Sequence, residues 1–201
     1  MTKKIGVLLS GCGVYDGTEI QEGEFTLLSI AENGGEAVCM APNKDQHHVV
    51  DHTSGNEMDQ KRNVMVESAR IARGDIQDIQ DVNTDEIDAL VIPGGFGAAK
   101  NLTEWAFSGP DGAIDAHVRQ IIVKMVEVGK PVVGLCMGPT VIAKALQGSD
   151  VKARLTVGTD KEASEYEIAA ISQGIETTGA TAEMKTRSEI LVDNDNRIIT
   201  A

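Results

Sequence analysis

The 201-residue chain has no Cys-x-x-Cys pair, no block of lysine or arginine, and no internal repeat, linker or low-complexity tract. Each absence excludes something. Three cysteines (Cys12, Cys39 and Cys136) set far apart make neither a disulfide scaffold nor a zinc ribbon, and they suit a reducing compartment such as the cytosol. A formal net charge of -13 without any basic cluster argues against nucleic acid and anionic membrane as partners. No apolar run approaches the roughly 18 residues of a membrane span. The opening apolar stretch Ile5 to Leu9 is shorter than the roughly 7–15 residues of a signal-peptide core, so it reads as a buried first strand. A length of 201 residues with 41% hydrophobic and 24% charged residues predicts one soluble globular domain over 1–201.

Short apolar runs alternate with helical patterns. Strands are predicted at Ile5–Leu9, Ala37–Ala41, Ala89–Ile92, Pro131–Leu135 and Arg154–Val157. Ile190–Val192 and Ile198–Thr200 flank an Asp193–Asn196 turn as a hairpin. Helices are predicted at Thr18–Ala31 (with Thr18 and Gln21 spaced as a capping box), Arg62–Ala72, Ile114–Val128 and Ser164–Gln173. This alternation implies an α/β fold with a mainly parallel sheet, whose ligands bind beyond the carboxyl ends of the strands. Ser10 to Gly17, Gly94 to Gly97, Cys136 to Pro139 and Gly158 to Asp160 each follow a strand, so all four meet at that rim.

Cys136 stands out among them. It lies between the Pro131–Leu135 run and a helix-like segment from Val141, flanked by Gly134 and Gly138. A cysteine on a strand-to-helix turn faces the amide end of a helix, which favours the thiolate. The small neighbours suit a strained turn and close packing. Gly94 and Gly95 after their strand, and Met137 one residue past the sulfur, could present bare N–H groups to an oxyanion. Glu19 and Glu22 open the first helix; either could be a carboxyl poised beside the thiol, and periodicity does not choose between them. The turn Ser10-Gly11-Cys12-Gly13-Val14-Tyr15-Asp16-Gly17 departs from a dinucleotide fingerprint, with its last glycine one residue late. It reads instead as a wall of the Cys136 pocket, with Gly13 beside it and Cys12 pointing in as a possible second thiol. His47, His48 and His52 with Asp45 and Asp51 match no standard zinc spacing, so 43–59 reads as a solvated loop or small hairpin and no metal is expected. Asp193 to Asn196 lacks the glycine and glutamate of an EF-hand.

Ile92-Pro93-Gly94-Gly95, the elbow Cys136-Met137-Gly138-Pro139-Thr140 and a glutamate after strand one together resemble the class I glutamine amidotransferase-like superfamily, in its PfpI and protein-deglycase branch. Ser10 to Gly17 and Pro93-Gly94-Gly95-Phe96-Gly97-Ala98-Ala99-Lys100-Asn101-Leu102 are similar to the ElbB group, named as isoprenoid-biosynthesis-associated, glyoxalase-like proteins. The resemblance implies a flavodoxin-like sandwich with helices on both faces, a homodimer, Cys136 as nucleophile and Glu22 rather than Glu19 as its partner. It implies cofactor-free, glutathione-independent glyoxalase III chemistry, a lyase activity on a small reactive aldehyde such as glyoxal or methylglyoxal. A non-enzymatic redox or small-molecule sensor using the same thiol is the alternative. The chain departs from the superfamily twice. Val157 to Glu162 holds none of the histidine that many members carry there, which disfavours a glutamine amidotransferase. The segment and C-terminal helix that usually follow the last strand do not follow Thr200 in this sequence.

Overall fold

The computed structural model describes residues 2–201. β1 (Lys4–Leu8) leads into α1 (Ile20–Glu32), then β2 (Glu36–Ala41), α2 (Val64–Ile71), β3 (Gln77–Asp78) and β4 (Ala89–Ile92). A single π-helical turn, Ala98–Leu102, precedes the short α3 (Trp105–Ser108) and then α4 (Ala116–Glu127). β5 (Val132–Gly134), α5 (Gly138–Leu146), β6 (Arg154–Leu155), α6 (Ile168–Thr177), β7 (Thr181–Ala182), β8 (Leu191–Asp193) and β9 (Ile198–Thr200) complete the chain.

The sheet runs β3-β2-β1-β4-β5-β9-β8, parallel throughout except for the antiparallel β8–β9 edge. This is the expected α/β sandwich with a mostly parallel central sheet. Parallel strands are buried on both faces, and successive side chains alternate between them. Val7 and Leu9 accordingly join Ile30, Cys39, Val64 and Ile71 beneath α1 and α2, while Leu8 joins Leu90, Ile92, Ile122 and Ile142 beneath α4 and α5. The strand order reverses between β1 and β4, and at such a switch point the flanking loops part and leave a crevice. The loops after β1 and β4 lie there, with the end of β5 alongside.

Several boundaries differ from the sequence expectation. Thr18 is not the cap of α1. Its Oγ1 accepts the Ser10 N–H at 2.8 Å, and Glu19 caps instead, accepting the Glu22 N–H at 2.7 Å. Only Arg154–Leu155 is strand in the run to Val157, and it leaves the main sheet to pair with β7. The last helix starts at Ile168 rather than Ser164. Of the two readings of segment 43–59 the small hairpin is the one found: the antiparallel bridge Val50–Glu57 closes it, its tip 52–57 is exposed, and a second bridge Asp45–Asn63 draws its base together.

Candidate active site

The chain turns sharply at Cys136. Leu135 N–H donates to Ile92 O at 3.0 Å, extending the β4–β5 pairing by one residue; Cys136 N–H donates to Ala201 O at 2.8 Å, tying the turn to the end of β9. Between these anchors Cys136 adopts φ 53°, left-handed backbone that a residue with a Cβ rarely occupies. That twist lifts the side chain clear of the sheet and starts α5, where Pro139 in the first turn gives up no needed hydrogen bond. The glycines on either side act as close-packing positions. A Cβ on Gly134 would sit 2.8 Å from the Ile142 side chain, and one on Gly138 would sit 2.5 Å from Ile92 O.

The carboxyl partner comes from α1. Glu19 is occupied as the helix cap, whereas the Glu22 carboxyl lies beside the thiol: a Cβ on Gly94 would sit 2.7 Å from Glu22 Oε2 and 2.9 Å from Cys136 Sγ. The structure thus separates two residues that helical periodicity left equivalent. Gly94 is what lets them meet: a Cβ there would lie 2.5 Å from Cys136 Cβ and 2.7 Å from Glu22 Oε2. Its N–H donates to Glu22 Oε2 at 2.6 Å. Gly94 is therefore not a free oxyanion donor, a correction to the sequence expectation: its amide holds the glutamate. The N–H groups of Gly95 and Met137 lie near the sulfur and favour its thiolate, and they remain as the candidate donor pair.

The thiolate expected from the helix end also needs correction. Burial pushes the Cys136 thiol up to about 11, and the Glu22 charge pushes the same way, outweighing the amides of Gly95 and Met137. Glu22 is itself raised, first by burial, then by Glu19, against the Gly94 amide and the Cys136 hydrogen bond. The two groups are coupled unequally: the Glu22 charge disfavours the thiolate, while the Cys136 thiol eases ionisation of Glu22.

Two long glycine-rich stretches position this pair by interlocking. Glu19 N–H donates to Gly94 O at 3.0 Å, Gly97 N–H to Gly17 O at 2.9 Å, and Phe96 N–H to Val14 O at 2.8 Å. A Cβ on Gly97 would fall 2.5 Å from the Gly17 backbone. Asn101 Nδ2 donates to Ser10 O and Asp16 O at 2.8 and 2.9 Å, and its Oδ1 accepts the His47 N–H at 3.0 Å. Asp16, itself buried, accepts the Val50 N–H at 2.7 Å. The Ser10–Gly17 turn is thus a clasp for the rim, not a wall of the pocket. Cys12 and Gly13 lie away from the thiol. Cys12 packs on the α1–α2 core, its thiol raised by burial and by Glu67. A Cβ on Gly13 would lie 2.8 Å from the His52 ring. His52 stacks on Tyr15, while His47 and His48 meet Phe107. Among the described residues no three His, Cys, Asp or Glu side chains converge as a metal site.

Cys136 and Glu22 open into a cleft of about 400 Å³ lined by Thr156, Val157, Gly158, Lys185, Thr186 and Arg187 on its far wall. A smaller lobe of about 200 Å³, with Tyr166 and Ser164, shares Val157, Gly158 and Arg187 with it. Among the described residues the lining of neither lobe includes a histidine; His117 sits in a separate groove with Gln80 and Lys124. The sequence placed Gly158 at this rim but did not mark Lys185 to Arg187. Lys185 to Arg187 lie in a turn between short strands, and no spacing signal marks them.

Residues 14–200 match the DJ-1/PfpI family. The chain is 39% identical over 199 residues to "Glutamine amidotransferase-like class 1 domain-containing protein 3, mitochondrial" from Homo sapiens, covering 98% of this chain and 73% of that protein. It is 37% identical to "ES1 protein homolog, mitochondrial" from Rattus norvegicus, with the same coverage of 98% and 73%. Among solved structures, an isoprenoid biosynthesis protein with amidotransferase-like domain from Ehrlichia chaffeensis superposes with a TM-score of 0.86 at 32% identity, covering 98% of this chain and 87% of that one.

Proposed function

Taking as premise that the chain belongs to the DJ-1/PfpI family, we propose that it is a glyoxalase III-like enzyme of the ElbB type. On this reading it converts glyoxal or methylglyoxal to a 2-hydroxy acid without glutathione or a bound cofactor. The observation that carries the reading is the Cys136–Glu22 pair: a thiol on a left-handed turn beside a half-buried carboxyl whose charge raises the thiol's proton affinity.

The chemistry follows from that pair. Glu22 takes the thiol proton and the thiolate adds to the aldehyde carbon, forming the S–C bond. The resulting alkoxide lies against the Gly95 and Met137 amides and is protonated by Glu22. Glu22, now a carboxylate, removes the hydrogen from that same carbon and delivers a proton to the neighbouring one. The hydroxyl proton on the first carbon passes to the second oxygen, leaving a 2-hydroxy thioester. Water cleaves the S–C bond, releases the acid and restores the thiol. Glutamine hydrolysis has less support, because no histidine base lines the cleft among the described residues. Three free cysteines suit a reducing compartment, either the cytosol or the organelle named for the human and rat relatives.

The test is production of lactate from methylglyoxal by wild type and by Cys136→Ala. Turnover in wild type that the variant loses supports the proposal; equal turnover in both overturns it. Wild-type protein that accumulates oxidised or aldehyde-bound Cys136 without turnover would assign the thiol to a sensor. A homodimer belongs to the same reading and is checked by sedimentation.

A further inference from the structure

The cleft extends past the thiol, and its second lobe ends at Tyr166. This tyrosine lies just ahead of α6 and is held in place twice: its N–H donates to Ser164 Oγ at 3.0 Å, and its carbonyl accepts the Ile168 N–H at 2.9 Å. Its ring meets Phe96 edge-on, 5.8 Å between centroids and 66° between planes. Phe96 directly follows Gly95, whose amide lies near the Cys136 sulfur. Tyr166 thereby packs on the segment next to the thiol and lines the second lobe. The two lobes share Val157, Gly158 and Arg187, whereas Glu22 lines only the first.

We infer that Tyr166 is a catalytic residue, its hydroxyl donating a hydrogen bond to the second oxygen of a 1,2-dicarbonyl compound bound through Cys136. The inference rests on the glyoxalase reading and deepens it. Addition to the first carbon places that carbon's oxygen on the Gly95 and Met137 amides and its hydrogen toward Glu22. The adjacent carbonyl then projects along the cleft, away from α1. When Glu22 removes the hydrogen, negative charge collects on that second oxygen. A donor there lowers the energy of the enediolate, and among the described residues no histidine lines the cleft to supply one. The phenol suits the task. Burial first, then the negative charge of Cys136, Glu165, Tyr15 and Glu22, raises its proton affinity, so it stays a donor at neutral pH. It forms no bond and keeps its proton over the cycle.

Tyr166→Phe tests this, since it keeps the ring against Phe96 and removes only the hydroxyl. Expected are a kcat/KM on methylglyoxal lowered by at least about tenfold, the worth of one hydrogen bond to a charged group, and wild-type alkylation of Cys136 by iodoacetamide. An unaltered kcat/KM overturns the inference while leaving the glyoxalase reading intact. If wild type shows no turnover, that reading falls, and the inference is read from protection instead. Glyoxal shields Cys136 from iodoacetamide as the adduct forms, and Tyr166→Phe then needs about tenfold more glyoxal for equal shielding. Equal shielding in both proteins, or none in either, overturns it.

Discussion

Cys136 holds a left-handed conformation at φ 53°, which costs a residue bearing a Cβ roughly 1–2 kcal/mol. Glycine adopts it freely. Cys136→Gly is therefore expected to unfold at higher urea than Cys136→Ala, by about 1 kcal/mol, with both inactive. Glu22 carries a second strain. Its proton affinity is raised by burial and by Glu19, so its charge destabilises the fold. The sign follows: a carboxyl raised in the folded state favours folding most below its open-chain pKa, and loses that advantage as pH rises toward the raised value. Glu22→Gln should thus gain stability over wild type as pH rises, in urea unfolding followed across pH. The same variant removes the charge that helps hold the thiol near 11, so the midpoint of Cys136 alkylation should move down. The place of Cys136 on a sharp strand-to-helix turn was legible from its flanking glycines and the helix after it. The state of its proton was not, because it depends on a carboxyl brought near only by tertiary structure. Cys12 was misplaced for a related reason: a glycine-rich turn tells that the backbone bends sharply, not which way a side chain on it points.

At the scale of elements, the clasp between Ser10–Gly17 and Gly94–Asn101 fixes the active centre. Asn101 is its pin, satisfying two buried carbonyls and one amide at once. Truncation to alanine leaves all three unpaired, at a cost of roughly 2–5 kcal/mol, expected as a lowered urea midpoint with an unchanged slope. Helix and strand positions were readable from apolar spacing, and most boundaries shift by only one or two residues. The exceptions have physical causes. Thr18 matches a capping pattern, yet Ser10 N–H claims its hydroxyl. Arg154–Val157 is apolar enough for the main sheet, but β9 already occupies the edge of β5, so its first two residues pair with β7. Segment 43–59 reads equally as a solvated loop or a small hairpin because its anchors, Asp16 and Asn101, lie far away in sequence.

Across the whole molecule, the parallel sheet and its switch point place the site; alternation of strands and helices implied the sheet, but the order of strands came only from the structure. Acid should loosen this assembly at identifiable points. Burial works against ionising Asp115 and Asp193. The ion pair with Lys44 outweighs it at Asp115, and hydrogen bonds from Asn196 and the Arg154 N–H outweigh it at Asp193, leaving both below the usual aspartate range. Their contribution is complete above the open-chain value of about 3.9 and is lost as pH falls through the lower folded values. Asp193→Asn should therefore be less stable than wild type at about pH 7 and converge with it at about pH 2, read by urea unfolding. The interlocked glycines carry a longer consequence. With one bank of the cleft fixed backbone against backbone, the distance from carboxyl to sulfur has almost no freedom to drift between relatives. On the glyoxalase reading, selectivity for one aldehyde over another must then be written on the opposite bank, at Val157 and from Lys185 to Arg187, where side chains can be exchanged while the Cys136–Glu22 pair and Tyr166 stay in place.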